Sequence, residues 1–232
     1  GDGFLNELAQ KLIEELQCET VFTIPVLGGI PVSEAVVVTW IIMAVLVIVA
    51  FILTRNLKVD HISKRQAVAE SIVTGLMNMV QGMVGEKGRK YVPYLTTVML
   101  YIGISNIIGL FGFKSPTKDL RVTVALALMS IILIEAAGIY HKGVKRWLHG
   151  FVEPVAIVTP INILEVVTKP LSLCMRLFGN VLGAFVIMEL LKMILPVGLP
   201  VVFSLYFDIF DGLLQAYVFV FLTSLYIDEI TE

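Results

Sequence analysis

Arg176 stands mid-way along a helix-compatible, mainly apolar stretch running from Pro160 to Leu195. On a helix, charges three or four positions apart can neutralise each other. At those spacings Arg176 has Ser172, Leu173, Gly179 and Asn180, none of them acidic. If the stretch spans a bilayer, a central arginine costs at least ~2.5–3.5 kcal/mol on insertion scales, so it marks a functional candidate. At ~100° per residue, Glu165, Lys169, Asn180 and Gly183 fall on the same broad helix face as Arg176. That face suits an arriving carboxylate, because an opposite charge stabilises its ionised form. The plainer alternative is an arginine buried against a carboxylate elsewhere in the chain. Gly179 and Gly183 have the GxxxG spacing that lets another helix approach the backbone. Packing within the chain is the ordinary reason for such spacing. Beside an uncompensated arginine, it also suits a partner helix that presents a carboxylate.

A second polar set occupies the last apolar segment, from Leu199 to the C-terminus. Asp208 and Gln215 share a helix face, flanked by Ser204 and Asp211. The preceding helix runs the opposite way, so its Asn162 and Glu165 belong toward the other membrane side. Two polar sets offset across Arg176 predict two half-channels rather than one continuous pore. Glu189 lies ~220° around the helix from Arg176. It either lines the outer half-channel or pairs with Lys192. Glu135, inside the third apolar span, belongs to an ion path or hydrogen-bonds internally while protonated. Cys174 and the nine methionines read as packing. Cys18 and Cys174 are far apart, and the sequence has no CxxC pair, His/Cys cluster or HExxH. No metal, cofactor or disulfide framework is therefore expected.

These residues need a membrane to position them. Of 232 residues, 57% are hydrophobic and 16% charged, with a mean hydropathy of +0.90. Soluble domains run about 45–50% apolar and about 25% charged, so the chain reads as an all-α integral membrane protein. The net charge of −2 excludes a basic nucleic-acid binder. About five transmembrane helices are expected, with interfacial amphipathic helices beside them. Val36 to Leu53 carries no charge over 18 residues and is the first span. Val92 to Gly112, broken by Ser105-Asn106, is the second, and Val122 to Tyr140 the third. Val68 to Val84 repeats apolar residues at helical spacing with polar residues between them, and reads as a surface helix ended by Gly85 and Gly88. Asp2 to Glu19 reads as an acidic amphipathic helix on a membrane surface, or else as a disordered acidic tail. It lacks the basic start and unbroken apolar run of a signal peptide. The 36 residues from Pro160 to Leu195 make ~54 Å of helix against a ~30 Å hydrocarbon core. The last two helices must therefore lie steeply tilted, bend, or leave the bilayer. The whole chain, 1–232, reads as one membrane domain: an outer N-terminal segment 1–30, a cytoplasmic-side surface helix in 55–90, and a helix hairpin in 154–232. Residues 1–30 hold one Lys or Arg and 55–90 hold seven. That contrast places the N-terminus outside and, after five spans, the C-terminus inside.

The stretch P-I-N-I-L-E-V-V-T-K-P-L-S-L-C-M-R-L-F-G-N from Pro160 resembles the signature of subunit a of the rotary F-type ATP synthase. Asn106 to Gly112 with Pro116-Thr117, then Asp119 to Leu128, and Leu214-Gln215-Ala216 agree with it in order. The resemblance implies a non-catalytic stator subunit of the membrane sector, in a bacterial cell membrane. Its partners would be a rotating c-ring of helical hairpins and b-type peripheral stalk subunits. Arg176 would be the essential arginine, with Asn180 and Gln215 beside it and Asp208 in the outer half-channel. The family pairs that last site with a polar residue on the neighbouring helix. Phe185 occupies that position here, leaving Asp211 or Glu189 as substitutes. The coupling ion, a proton or sodium, would be chosen mainly by the ring. A secondary transporter would show internal repeats, and none is visible. An aspartyl protease would need its two aspartates on different helices, whereas Asp208 and Asp211 share one.

Overall fold

The computed structural model describes residues 2–17, 19–26, 28–153, 155–195 and 197–232. Cys18 lies outside the described residues. Helix α1 (Asp2–Leu16) is followed by strands β1 (Thr20–Ile24) and β2 (Ile30–Ser33) and helices α2 (Glu34–Thr54) and α3 (Lys64–Val84). Then come α4 (Val92–Ile107), α5 (Leu120–Lys142), the short α6 (Val144–Gly150) and the 36-residue α7 (Thr159–Ile194). The chain ends in α8 (Leu199–Leu205), a π-helical segment Tyr206–Asp211 and α9 (Gly212–Thr231), which run on continuously. The acidic N-terminal segment is thus helical rather than a disordered tail.

The short antiparallel pair β1–β2 is an addition to the expected all-α fold. Thr20 to Ile24 is rich in β-branched residues, which favour extended backbone. Gly28 and Gly29, both at positive φ, close the hairpin. The pair lies at the chain's edge, outside any apolar span.

Among the described residues, six helices are long and apolar enough to cross a membrane, α3 among them. Topology separates α3 from the rest. Ser33, just before α2, donates to Asp119 at the start of α5 (3.4 Å), and Thr39 pairs with Tyr101 of α4 (2.9 Å). Helices α2 and α4 are therefore antiparallel, and α2 ends where α4 begins. The start of α3 is tied to the end of α2, where Gln66 donates to the Lys58 carbonyl (3.0 Å). Beyond its end, Lys87 reaches the Thr231 carbonyl at the end of α9 (3.2 Å). Both ends of α3 thus lie at one end of the bundle. It runs along that surface, with Ser63 capping its start and Gly85 at φ 71 closing it.

The core lies between α4, α5, α7 and α9, around Leu95, Ile102, Ile134, Leu173, Leu177 and Phe219. Cys174 is buried there. Core hydroxyls close on their own helices, as Thr223 does to Phe219 O (2.9 Å) and Ser224 to Val220 O (2.7 Å). Such bonds satisfy a hydroxyl inside its own helix, whereas the buried Ser105 Oγ of α4 has no partner among the described residues. The apolar residues of α2 beyond Ile42 are largely exposed, as suits contact with lipid tails. One end of the bundle holds Arg55, Lys58, Lys64, Arg65, Lys87, Arg89, Lys90, Lys142, Lys145 and Arg146. The other holds the β-hairpin with Lys11, Lys114, Lys118, Arg121 and Lys192. They are termed the basic end and the hairpin end below.

Candidate functional site

A cavity of about 720 Å³ opens at the hairpin end between α4, α7 and the last helix. Asn106, Asn180, Glu189, Asp208, Asp211 and Gln215 line it. Five of these six were singled out from sequence. Asn106 was visible there only as a polar break in a span. The π-helical segment carries both aspartates, and such wider turns occur often at functional sites. Ser204 donates to Asp208 Oδ2 at 3.0 Å. Gln215 is 8% exposed, and its Oε1 has no hydrogen-bond partner among the described residues. A buried unpaired carbonyl beside a cavity is an acceptor held ready for something polar.

Asn106 fixes the cavity wall. Its Nδ2 donates to Gly212 O (2.9 Å) and its Oδ1 accepts from Thr117 (2.7 Å). Ser115 joins through Thr117 (2.8 Å) and the Ser105 carbonyl (2.6 Å). Gly212 makes this possible, since a Cβ there would sit 2.8 Å from Asn106 Cβ. The network ties α4 to the junction of the π segment with α9.

Glu189 stands at the cavity and makes the ion pair with Lys192 (2.9 Å). It also pairs with Lys11 of α1 (3.7 Å). Its side chain is 12% exposed, so this double pairing holds the carboxylate at the cavity wall. Phe185 also lines the cavity, one helical turn away, with the Lys118 ammonium 5.3 Å from its ring centroid.

Arg176 is exposed, and among the described residues it has no hydrogen bond or ion pair. None of the described carboxylates pairs with it, in contrast to the plainer alternative. Gly179 and Gly183 are exposed too, and a Cβ on either would meet nothing within 4 Å. The GxxxG stripe is therefore not used by this chain's own helices. Toward the basic end the same helix exposes Glu165, which is unpaired among the described residues. Lys169 turns away to Glu229 (3.2 Å) and lies over the Tyr226 ring. Asn162 donates to Phe151 O (2.9 Å) and Glu153 O (3.2 Å), closing the connection before α7. Glu135 accepts from Trp147 Nε1 (2.8 Å), joining α5 to α6 near the basic end and outside the cavity.

Fold and site together define an all-α, multi-pass membrane protein with a polar cavity at one end and an unpaired arginine on an open helix face. Residues 36–228 match the family described as ATP synthase A chain. The chain is 36% identical to the ATP synthase subunit a of Moorella thermoacetica over 87% of its own length and 92% of the relative's. It is 35% identical to that of Propionigenium modestum, which is named as sodium ion specific, over 86% and 74% of the two chains. It is 34% identical to subunit a 1 of Chlorobaculum parvum, over 88% and 91%. The chain belongs to the ATP synthase subunit a family. It is an ion-translocating, non-catalytic membrane subunit of the ATP synthase complex.

Proposed function

We propose that this subunit moves protons or sodium ions through two offset half-channels to and from the carboxylates of a rotating c-ring. The observation that carries the reading is the unpaired Arg176 on the open Gly179–Gly183 face. Such a face accepts a helix from another subunit and supplies the one charge its carboxylate needs. A ring carboxylate entering lipid must be neutral, because an isolated charge there is costly. Beside Arg176 the ionised form is favoured, and an opposite charge at close range lowers a carboxyl pKa by ~1–3 units. The arriving carboxylate releases its ion on the Glu165 side. Past the arginine it takes up another from the cavity holding Asp208, Asp211 and Gln215, beside Asn180. Arg176 repels cations between the two paths, which keeps them from short-circuiting.

The hairpin end faces outside and the basic end the cytoplasm. The basic end holds ten Lys and Arg residues against five at the other, the asymmetry expected of a cytoplasmic face. The N-terminus is then outside, the C-terminus inside, and the membrane that of a bacterial cell. The b-type stalk subunits complete the stator.

The test is ATP-driven ion uptake by vesicles holding the purified complex in sodium-depleted buffer, with wild type beside Arg176→Ala. Wild-type acidification identifies a proton motor. Sodium-dependent uptake that survives a protonophore identifies a sodium motor. In either case the assembled Arg176→Ala complex is expected to show no coupled uptake. Uptake at the wild-type rate would overturn the reading.

A further inference from the structure

At the basic end, two segments about fifty positions apart in sequence converge. Lys90 donates to the Tyr140 hydroxyl (2.7 Å) and lies 4.3 Å from that ring's centroid. The rings of Tyr91 and Tyr140 both contact His141, with centroids at 6.5 and 5.4 Å. Arg89 and Lys90 are thereby brought to the end of α5, where Lys142, Lys145 and Arg146 follow. Among the described residues none of these five cations forms an ion pair. The carboxylates nearby leave them so: Glu135 is held by Trp147, Glu153 pairs with His149 (3.5 Å), and Glu86 makes no ion pair.

The apolar surroundings decide what these charges suit. Gly143, at φ 79, breaks α5 from α6, and the Trp147–Glu135 bond folds α6 back against α5. Val144 and Leu148, one turn apart on α6, stay 56% and 54% exposed, and Tyr140 is 67% exposed. Unpaired cations, a ring of aromatics and exposed aliphatic side chains thus sit together where a spanning helix ends. A soluble anion would use the charges and leave the apolar surface wet. An acidic lipid uses both, and basic pockets between helices at this depth favour anionic headgroups. The elbow between α2 and α3 is also basic but differently built. There Arg65 donates to the Arg55 carbonyl, and Gln66 is bound to Lys58 and Glu70.

We propose that the α4–α5–α6 corner is a binding site for the phosphate headgroup of an anionic phospholipid of the same leaflet. Lys90, Lys145 and Arg146 hold the phosphate, and Val144 and Leu148 lie along the acyl chains. The test uses the purified complex and a photoactivatable phosphatidylglycerol, with labelled peptides located by mass spectrometry. Labelling is expected at residues 140–150, displaced by plain phosphatidylglycerol and not by phosphatidylcholine. Removing one surface cation weakens attraction to acidic lipid roughly fivefold. K90Q/K145Q/R146Q should therefore lose labelling by about tenfold or more, while K90R/K145R/R146K keeps it. If the triple variant fails to assemble, Lys145→Glu carries the test, because its side chain is exposed and unpaired. Undiminished labelling in the charge-removed variants would overturn the site. So would an equal loss in K58Q/K64Q at the elbow, or displacement by millimolar inorganic phosphate.

Discussion

Replacing Gly183 with leucine separates what this chain needs for itself from what it needs for a partner. Within the subunit the change costs little, since a Cβ at Gly183 meets nothing within 4 Å and the position is exposed. An interior Gly→Ala change at such a helix position is itself favourable by ~0.5–1 kcal/mol. Against a partner helix seated on the GxxxG stripe, the leucine has nowhere to go. Overpacking a close-packed contact costs ~1–3 kcal/mol. Relief by retreat acts on Arg176, two turns earlier on the same stripe. At an effective dielectric of ~20, a unit pair is worth ~4 kcal/mol at 4 Å and ~2 kcal/mol at 8 Å. A retreat of about 4 Å therefore forfeits ~2 kcal/mol, which raises the carboxyl pKa by about 1.5 units. Ion release should slow by at least about tenfold.

The assay is ATP-driven ion uptake by vesicles holding the purified complex, with subunit composition checked on the same preparation. Gly183→Leu should assemble and pump at no more than about a tenth of the wild-type rate, and Gly183→Ala should fall between. Val47→Leu, on the exposed side of α2, should pump normally. If Gly183→Leu assembles fully and pumps like wild type, the stripe faces lipid, and the argument from Arg176 to a partner carboxylate fails with it.

Asp208→Asn should slow transport without uncoupling it from ATP hydrolysis; wild-type rates from neutral to alkaline pH would remove Asp208 from the outer path. Gly212→Ala should destabilise the subunit by ~1–3 kcal/mol, because the new Cβ meets Asn106 Cβ at 2.8 Å. An unchanged thermal transition of the complex would show that Asn106 yields easily. Glu135→Gln keeps an acceptor for Trp147 and should leave transport near wild type, whereas a tenfold loss would make Glu135 an ion relay.

The spans were legible because composition and helical period act over many residues. The charge-free run before Leu53 and the 36-residue helix α7 needed no tertiary information. Helix α3 was legible as a helix for the same reason, and by length and hydropathy it also qualifies as a span. The β-hairpin was missed because its strands are short and their pairing depends on the two positive-φ glycines. Site residues were found where polarity was anomalous within an apolar helix, as at Arg176, Asp208 and Gln215. Asn106 escaped the site reading because its role depends on a glycine 106 positions away. The grip on Glu189 by Lys11 was equally out of reach, since nothing in sequence places α1 beside the end of α7. Lys169 illustrates the limit of helical-wheel reasoning, for it shares a face with Arg176 but reaches across to Glu229.

The two polar sets differ in how they are enclosed, and the difference bears on how the subunit works. Asp208, Asp211 and Gln215 line a cavity built by this chain's own helices and braced through Asn106. Glu165 has no such enclosure: it is exposed on the face that carries Arg176 and the open glycines. In the proposed mechanism, an outer path preformed in the subunit would hold water and ions before a ring docks. The inner path would become a channel only when a second helix covers that face. The lone guanidinium would stand between the two paths, its partner arriving and departing with every step of the ring. A permanent intrachain carboxylate at Arg176 would then stabilise the subunit and stop the motor. The same requirement would account for glycines with open space above them and for an arginine with no counter-charge among the described residues.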